Sequence, residues 1–254
     1  MPRADESGFV PVNGIRMYYA VFNKHGGRPV ILLHGGLGSS DDWGSEAPLL
    51  AKTHEVIVVD SRGQGRSTMS SQPLSYELMA SDVLGLMDYL KITKASIVGW
   101  SDGGIIGLLL AIHHPDRIDK LFAFGADYSV SLYPSKPLDP AMAALGARYV
   151  ARAEARYRRL SPTPNGFPAL LKALSRMYAT EPEIKPDELA TIKAPTVIAD
   201  GQYEQFITRK ETVTLALLIP GAKLVIIPDV SHGGPLQDPV AFHRAVTALL
   251  DNNR

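Results

Sequence analysis

The chain has 254 residues, of which 45% are hydrophobic, and this length suits one α/β domain with an insertion better than two independent domains. Its 26 basic and 26 acidic side chains balance, so neither nucleic acid nor an anionic membrane surface is an expected partner. Because the chain has no cysteine, disulfides, thiol nucleophiles and cysteine-ligated zinc are excluded.

The first part of the chain is predicted to contain strands and one helix. Asn13-Gly14 separates two strand-like runs and predicts a hairpin with a type I′ turn. Three runs without alternation follow, "PVILLHG", "EVIVVD" and "ASIVGW", which is typical of parallel strands covered on both faces. Between the last two, apolar residues recur at helical spacing after Ser75, which we expect to cap the helix.

The rest of the chain continues the alternation of strands and helices. A helix is predicted from Gly103 toward His113, and strands are predicted in "KLFAFGA", "PTVIADG" and "AKLVIIPD", with helices around 209–218 and 240–250. This order favours an α/β fold with a mostly parallel, doubly wound sheet. The start of the chain has no signal-peptide pattern, and the longest apolar run, Ile105 to Ile112, is too short to cross a bilayer. We therefore expect a soluble, cytoplasmic protein.

One segment interrupts the alternation. Residues 128–189 have no convincing strand pattern but contain two helical patterns, near Pro140 to Leu160 and near Phe167 to Tyr178. We therefore expect a core formed by residues 1–127 and 190–254, with a helical insertion after the sixth strand. The first of these helices carries a stripe of arginines that we interpret as a solvated face, formed by Arg148, Arg152, Arg156 and Arg159.

The stretch Gly99-Trp100-Ser101-Asp102-Gly103 matches G-x-S-x-G between a buried strand and an apolar helix. A serine at such a turn takes a strained backbone conformation, and the flanking glycines let neighbouring backbone pass. The N–H of Asp102 then lies at the positive end of a helix and is suited to stabilise an oxyanion. The alternative, a glycine-lined phosphate loop, would need a Gly-Lys-Ser/Thr or G-x-G-x-x-G pattern that is not present here. The stretch predicts a nucleophile elbow with Ser101 as the nucleophile.

A serine nucleophile needs a base that takes its proton and an acid that orients the base. His232 lies in a loop directly after the last predicted strand, at the carboxyl edge where the sites of open α/β sheets lie. We interpret His232 as the base. His113 and His114 lie at a helix end and are interpreted as capping or surface groups.

The chain resembles the α/β-hydrolase family over nearly its whole length. The segments that carry the resemblance are "LLHGGLGSS", "VVDSRGQGRS", "GWSDGG", "PTVIADGQYEQFI" and "IPDVSHGGPLQDP". Within the family it is similar to the small serine esterases related to valacyclovir hydrolase, and C–C bond hydrolases are more distant. The family's fold implies a helical cap between the sixth and seventh strands, where the insertion falls. Epoxide hydrolases and haloalkane dehalogenases use an aspartate nucleophile, so Ser101 argues against both.

The resemblance also implies the rest of the site. The second oxyanion donor would be the backbone N–H of Gly36. The family usually has an aspartate three residues after the glycine that ends the seventh strand, and counting from Gly201 reaches Glu204 instead. Glu204 is therefore the expected acid, with Asp127 and then Asp200 as the alternatives.

Several other residues belong to the expected site. The Asp102 carboxylate either pairs with a cationic substrate group, such as that of an α-amino ester, or places an acid favourably in the first helical turn. We expect Trp100, Tyr128 and Tyr133 to contact the substrate. His34 is interpreted as a hydrogen-bonding residue under the loop rather than a catalyst.

These expectations describe a serine hydrolase that uses no cofactor and no metal and cleaves small-molecule carboxylic esters through an acyl-enzyme. Lactones, thioesters and C–C bonds need the same groups, so they stay as alternatives. A hypothesis of another class is a ligand-binding receptor that keeps the fold with little turnover, because a loosely held glutamate would orient the histidine poorly. The oligomeric state is left open.

Overall fold

The computed structural model describes residues 3–130 and 140–252, so Tyr133 lies outside the described residues. Within these ranges eight strands form one sheet, with the bounds β1 Glu6–Val12, β2 Ile15–Phe22, β3 Pro29–Leu33, β4 Glu55–Val59, β5 Ala95–Trp100, β6 Ile118–Phe124, β7 Thr196–Gly201 and β8 Lys223–Ile227. Their order is β1-β2-β4-β3-β5-β6-β7-β8. β2 pairs antiparallel with both β1 and β4, and the other pairs are parallel. The predicted mostly parallel sheet is confirmed.

Helices flank this sheet. Their bounds are α1 Glu46–Leu50, α2 Tyr76–Tyr89, α3 Asp102–His113, α4 Pro140–Leu160, α5 Phe167–Tyr178, α6 Pro186–Leu189, α7 Arg209–Leu218, α8 Gly234–Gln237 and α9 Pro239–Leu250. In residues 3–130 and 140–252 we find no helix of the length and apolarity that a membrane span requires. The strand-helix alternation after the hairpin is the one expected of an α/β fold.

Local sequence explains how the first elements form. Asn13 and Gly14 have φ values of 42° and 79°, both positive as the predicted type I′ turn requires. The Ser75 hydroxyl accepts a hydrogen bond from the N–H of Leu78 at 3.1 Å and so caps α2. Both predictions are confirmed.

Two apolar layers enclose the sheet. On β3, Ile31 and Leu33 face the layer that contains α2 and α3, whereas Val30 and Leu32 face the layer that contains α1 and α9. All four side chains are fully buried. A strand covered on both faces needs no polar alternation, which is why β3 is a continuous apolar run. The packed sheet gives the loops at its carboxyl edge a rigid base.

The segment between β6 and β7 contains α4, α5 and α6. The first two match the predicted helical patterns, and the four-residue α6 was not predicted. Glu181 accepts the N–H of Tyr76 at 2.8 Å, and the Arg156 guanidinium donates to the Leu37 carbonyl at 2.7 Å and pairs with Asp42. Our interpretation of the arginine stripe as a solvated face is therefore wrong for Arg156. This residue joins the insertion to the core.

Buried charge fixes the turn after β4. The Arg62 guanidinium donates two hydrogen bonds of 2.6 Å to Asp82, and neither side chain is more than 1% exposed. The Asp60 carboxylate accepts the N–H of Ser40 at 2.6 Å and that of Arg66 at 2.7 Å. The Arg62 bonds join the turn to α2, and the Ser40 bond joins it to the loop after β3, which carries the "HGG" motif.

Candidate active site

Ser101 lies at the junction of β5 and α3 with a φ of 55°, a left-handed value that is uncommon for residues with a side chain. The turn needs its glycines, because a Cβ at Gly99 would overlap the carbonyl oxygen of Gly103, and one at Gly103 would overlap that of Leu33. The Ser101 N–H donates to the Phe124 carbonyl at 2.8 Å. The strand-turn-helix context that the motif predicts is present.

Two main-chain donors lie beside this turn. A Cβ at Gly35 would lie 3.2 Å from the Cβ of Ser101, so the loop after β3 packs directly against the serine. Among the described residues, neither the N–H of Gly36 nor that of Asp102 has a hydrogen-bond partner. Asp102 opens α3, where the backbone N–H groups carry partial positive charge. Both amides are suited to receive an anionic oxygen.

His34 sets the direction of the Gly36 amide. Its Nε2 accepts the N–H of Ser61 at 3.0 Å, so the ring proton is on Nδ1, which donates to the Gly35 carbonyl at 2.7 Å. The N–H of Gly38 donates to the same oxygen at 3.0 Å. Since C=O and N–H point in opposite directions across a trans peptide, holding the Gly35 oxygen aims the Gly36 N–H the other way. The interpretation of His34 as a hydrogen-bonding support is confirmed.

His232 and Glu204 meet at the same edge of the sheet. Glu204 Oε2 lies 2.9 Å from His232 Nδ1, and the side chains are 3% and 17% exposed, respectively. Burial alone would raise the pKa of Glu204, but the hydrogen bond and charge of His232 outweigh it and lower that pKa to about 2. The N–H of Phe206 donates to the other oxygen, Oε1, at 2.7 Å. An ionised Glu204 places the imidazole proton on Nδ1, so Nε2 is the basic nitrogen.

The His232 ring lies close to the serine turn. A Cβ at Gly125 would lie 2.9 Å from its Cε1, and Gly125 directly follows Phe124, whose carbonyl holds the Ser101 N–H. The Trp100 indole N–H donates to the His232 carbonyl at 2.8 Å. Residues from three distant segments are thus brought to one edge of the sheet.

Aromatic residues support the His232 loop. Trp100 is only 6% exposed and packs edge-on against Trp43, with ring centroids 6.5 Å apart. This placement favours a supporting role for Trp100 over the substrate contact that we expected. Phe206 lies edge-on to His232 at 4.9 Å and is 44% exposed, and Gln205 Oε1 accepts the His232 N–H at 3.2 Å. The sequence did not predict Phe206 and Gln205 as site residues, although both directly follow Glu204.

Two tyrosines enclose the Asp102 carboxylate. The Tyr76 hydroxyl donates to Oδ1 at 3.0 Å, and the Tyr178 hydroxyl donates to Oδ2 at 2.8 Å. Burial raises the pKa of Asp102, and the two hydroxyls act against the shift. This cluster ties α2 and the inserted α5 to the start of α3. The two hydroxyls also occupy the carboxylate oxygens that a cationic substrate group would contact. The sequence did not predict this cluster, because both tyrosines stand at helical spacing typical of core positions.

The insertion also contacts the loop after β3. The Tyr149 hydroxyl donates to the Gly36 carbonyl at 2.6 Å, and a Cβ at Gly36 would overlap the Tyr178 hydroxyl. Tyr128, which we expected to contact the substrate, is half-buried against the apolar core, and its carbonyl accepts the N–H of Ile184 at 2.8 Å. The insertion and the loop after β3 therefore share contacts at the site.

The two alternative acids make other contacts. Asp127 Oδ1 accepts the N–H of Tyr128 at 2.6 Å and that of Ser129 at 3.3 Å. Asp200 accepts the N–H of Gly201 at 2.9 Å and the Thr212 hydroxyl at 2.6 Å. In the two described ranges no group of three or more His, Cys, Asp or Glu side chains is arranged to hold a metal ion.

Several proteins with related sequences and folds are hydrolases. The family model described as alpha/beta hydrolase fold matches residues 28–167. The putative carbamate hydrolase RutD of Caulobacter sp. (strain K31) is 30% identical over 250 residues, which cover 89% of this chain and 93% of that protein. The human serine hydrolase BPHL is 28% identical, with 96% and 86% of the two chains covered. The enol-lactonase from Burkholderia xenovorans LB400 has a TM-score of 0.78 and 25% identity, over 96% of this chain and 100% of that one. The chain therefore belongs to the alpha/beta hydrolase family.

Proposed function

We propose that this chain is a serine hydrolase that cleaves carboxylic esters through an acyl-enzyme intermediate. The observation that carries the proposal is the position of Ser101, which is held at a φ of 55° at the sheet edge where His232 and Glu204 meet. A left-handed serine costs about 1–3 kcal/mol and persists where the surrounding structure holds it, as at active sites. The strain is therefore consistent with a nucleophile elbow.

The proposed reaction begins with the Ser101 hydroxyl. Its Oγ attacks the ester carbonyl carbon while Nε2 of His232 takes the hydroxyl proton. Glu204 keeps the other ring proton on Nδ1 and stabilises the imidazolium. His232 then protonates the leaving alcohol, and Ser101 stays acylated. A water molecule, deprotonated by the same imidazole, hydrolyses the acyl-enzyme and restores the serine.

The tetrahedral intermediates carry negative charge on the former carbonyl oxygen. The N–H groups of Gly36 and Asp102 are the proposed donors to this oxygen, which agrees with their having no partner among the described residues. One such donor contributes about 100- to 1000-fold to kcat. His34 acts indirectly, because it fixes the peptide that carries the Gly36 N–H.

Glu204 is the proposed acid. A glutamate has one more rotatable bond than an aspartate, and that freedom must be restricted. Here Oε2 is held by His232 and Oε1 by the N–H of Phe206. Asp127 is less suitable, because its Oδ1 already accepts backbone N–H groups at the start of the insertion.

The insertion is the proposed cap. We assign residues 128–189 to the cap and residues 1–127 and 190–254 to the core. Tyr149 and Tyr178 reach the loop after β3 from the cap side, which supports a cap that covers the proposed site. Tyr128 and Tyr133 stay as proposed substrate contacts, and Trp100 is reassigned to support of the His232 loop.

The substrate class is proposed from the chemistry of the site and from the relatives. The relatives include a putative carbamate hydrolase and an enol-lactonase. Carbamates, lactones and esters all present a carbonyl carbon bonded to a heteroatom, so the same nucleophile and oxyanion donors serve each of them. We place carboxylic esters first, with lactones, carbamates, thioesters and C–C bonds as alternatives.

Labelling and turnover test this proposal together. The wild type, Ser101→Ala and His232→Ala are treated with a fluorophosphonate probe and with a panel of activated esters, lactones and carbamates. We expect the probe on Ser101 of the wild type and ester turnover that both substitutions abolish. Tight ligand binding without labelling or turnover would support the receptor hypothesis instead. Faster turnover of lactones or carbamates would reassign the substrate class.

A further inference from the structure

Asp200 and Glu204 place two buried carboxyl groups side by side. Asp200 is fully buried in β7, and the Glu204 side chain, in the loop that follows, is 3% exposed. The two side chains are in hydrogen-bonding contact. Two further hydrogen bonds hold the Asp200 carboxyl group: it accepts the N–H of Gly201 at 2.9 Å and the Thr212 hydroxyl at 2.6 Å. Glu204 therefore lies between Asp200 and His232.

A hydrogen bond between two carboxyl groups requires one proton, and two buried carboxylates in contact repel each other strongly. Glu204 faces the imidazole of His232 and the N–H of Phe206, and both favour its ionised form. Asp200 faces a hydroxyl and a single amide. Burial, together with the hydrogen bond and charge of Glu204, raises the pKa of Asp200 to about 7. The proton of the pair therefore lies on Asp200.

We propose that Asp200 is a positioning residue that keeps the one proton of the pair and donates it in a hydrogen bond that holds Glu204 against His232. The inference rests on the proposed serine-hydrolase function. It accounts for a glutamate where the family usually has an aspartate, because the longer side chain is held from three directions: by the imidazole, by the Phe206 amide and by the Asp200 carboxyl. Ionisation of Asp200 would replace the third bond with repulsion between two carboxylates.

Among the described residues, titratable groups near Asp200 come from α7, from the loop after β8 and from the segment after β6, which carries Asp127. α7 brings Arg209, which donates to the carbonyl of Gly201 at 2.8 Å, and Glu211, which accepts the N–H of Thr208 at 2.6 Å. The loop after β8 brings His232, which contacts Glu204. The neighbouring end of β6 is apolar. Glu204 is thus the charged group in direct contact with the Asp200 carboxyl.

The first test compares Asp200→Asn with Asp200→Ala. The amide of asparagine donates a hydrogen bond to Glu204 as the protonated acid does, and it does not ionise. We expect Asp200→Asn to keep kcat at pH 6 within about threefold of the wild type, and Asp200→Ala to lower kcat by about 10- to 100-fold with little change in KM, since a small misplacement of a catalytic group has effects of this size. Glu46→Gln is the matched control, because Glu46 is a buried acid that contacts an imidazole, that of His243, outside the proposed site. It should leave kcat unchanged.

The pH profile of kcat gives the second readout. The wild type should lose activity on the alkaline side as Asp200 ionises around pH 7, and Asp200→Asn should lack this loss. An identical alkaline limb in both proteins, or full activity of Asp200→Ala, would overturn the inference.

A stability measurement gives a third readout that does not depend on turnover. The folded-state pKa of Asp200, about 7, lies above its usual 3.8, so the proton stabilises the fold fully below about pH 4, and this contribution is lost as pH rises to 7. The Tm of the wild type minus that of Asp200→Asn should therefore fall between pH 4 and 7. A flat difference overturns the inference whatever the enzyme's substrate. A sloping difference in a protein without esterase activity would instead locate the failure in the proposed function.

Discussion

The hydroxyl of Tyr178, which belongs to the inserted α5, fills the space that a side chain at Gly36 would need. The same hydroxyl donates to Asp102 Oδ2 at 2.8 Å. One group of the insertion thus touches both segments that carry the proposed oxyanion donors. The insertion is part of the site's construction, and its contacts there are open to test by substitution.

Gly36→Ala should lower kcat by about 100- to 1000-fold, the range for loss of one oxyanion donor, because the new methyl group displaces the loop from Tyr178. Adding Tyr178→Phe removes the overlapping hydroxyl and should restore part of the activity. Steady-state kinetics of the two proteins, with circular dichroism as a check on folding, measure this. A double variant no more active than the single one contradicts the explanation.

Glu204→Gln should lower kcat on the order of 10⁴-fold, because an amide hydrogen-bonded to Nδ1 favours the wrong imidazole tautomer. Asp127→Asn should leave most of the activity, since the hydrogen bonds described for Asp127 go to the backbone N–H groups of Tyr128 and Ser129. Both are measured as kcat on an activated ester. The opposite ranking would transfer the role of the acid to Asp127.

His34→Leu should reduce kcat by about 10- to 100-fold with KM nearly unchanged, because the Gly35 carbonyl loses one of its two donors and the Gly36 amide is less well aimed. The matched control is His113→Leu, which removes a partly exposed histidine at the end of α3. Equal effects of the two substitutions on kcat would argue against a role for His34 in aiming the amide.

Arg62→Leu should destabilise the protein by about 3–5 kcal/mol, because it leaves the Asp82 carboxylate buried without its bidentate partner. The double variant Arg62→Leu/Asp82→Leu should recover much of this loss, since it removes the uncompensated charge as well. Urea denaturation gives both free energies of unfolding. If the double variant were less stable than Arg62→Leu, the loss of stability would not come from the unpaired Asp82 carboxylate, and this explanation would be contradicted.

Glu204 should link stability to acid pH. Its folded-state pKa, about 2, lies below its usual 4.5, so its stabilising contribution is present above about pH 4.5 and is lost as pH falls toward 2. The Tm of the wild type minus that of Glu204→Gln should therefore shrink across this range. A difference that does not change between pH 4.5 and 2 would contradict this role of the Glu204 carboxylate.

The framework of the site followed from the sequence because each part has a local signature. Ser101 stands between a strand and a helix with glycines where backbone passes closely, and His232 follows the last strand directly. β3 was predictable because burial on both faces removes the polar residues from a strand. Asn13-Gly14 was predictable because few other dipeptides accept two positive φ values.

The contacts between distant helices did not follow from the sequence. Tyr76 and Tyr178 lie 26 and 76 residues from Asp102, and helical spacing alone gives both the character of core positions. Trp100 was expected to contact the substrate, and its packing against Trp43 and its hydrogen bond to the His232 carbonyl were not predicted. Contacts of this kind depend on which helix faces pack together, and periodicity does not specify them.

The central claim is that Ser101 becomes acylated during turnover. Rapid mixing of the wild type with an activated ester, acid quench and mass spectrometry of the tryptic peptide of residues 95–117 measure this directly. The account predicts one acyl group on that peptide, located at Ser101 by fragmentation and lacking in Ser101→Ala. Full ester turnover by Ser101→Ala, or an acyl group on another residue of the wild type, would contradict it.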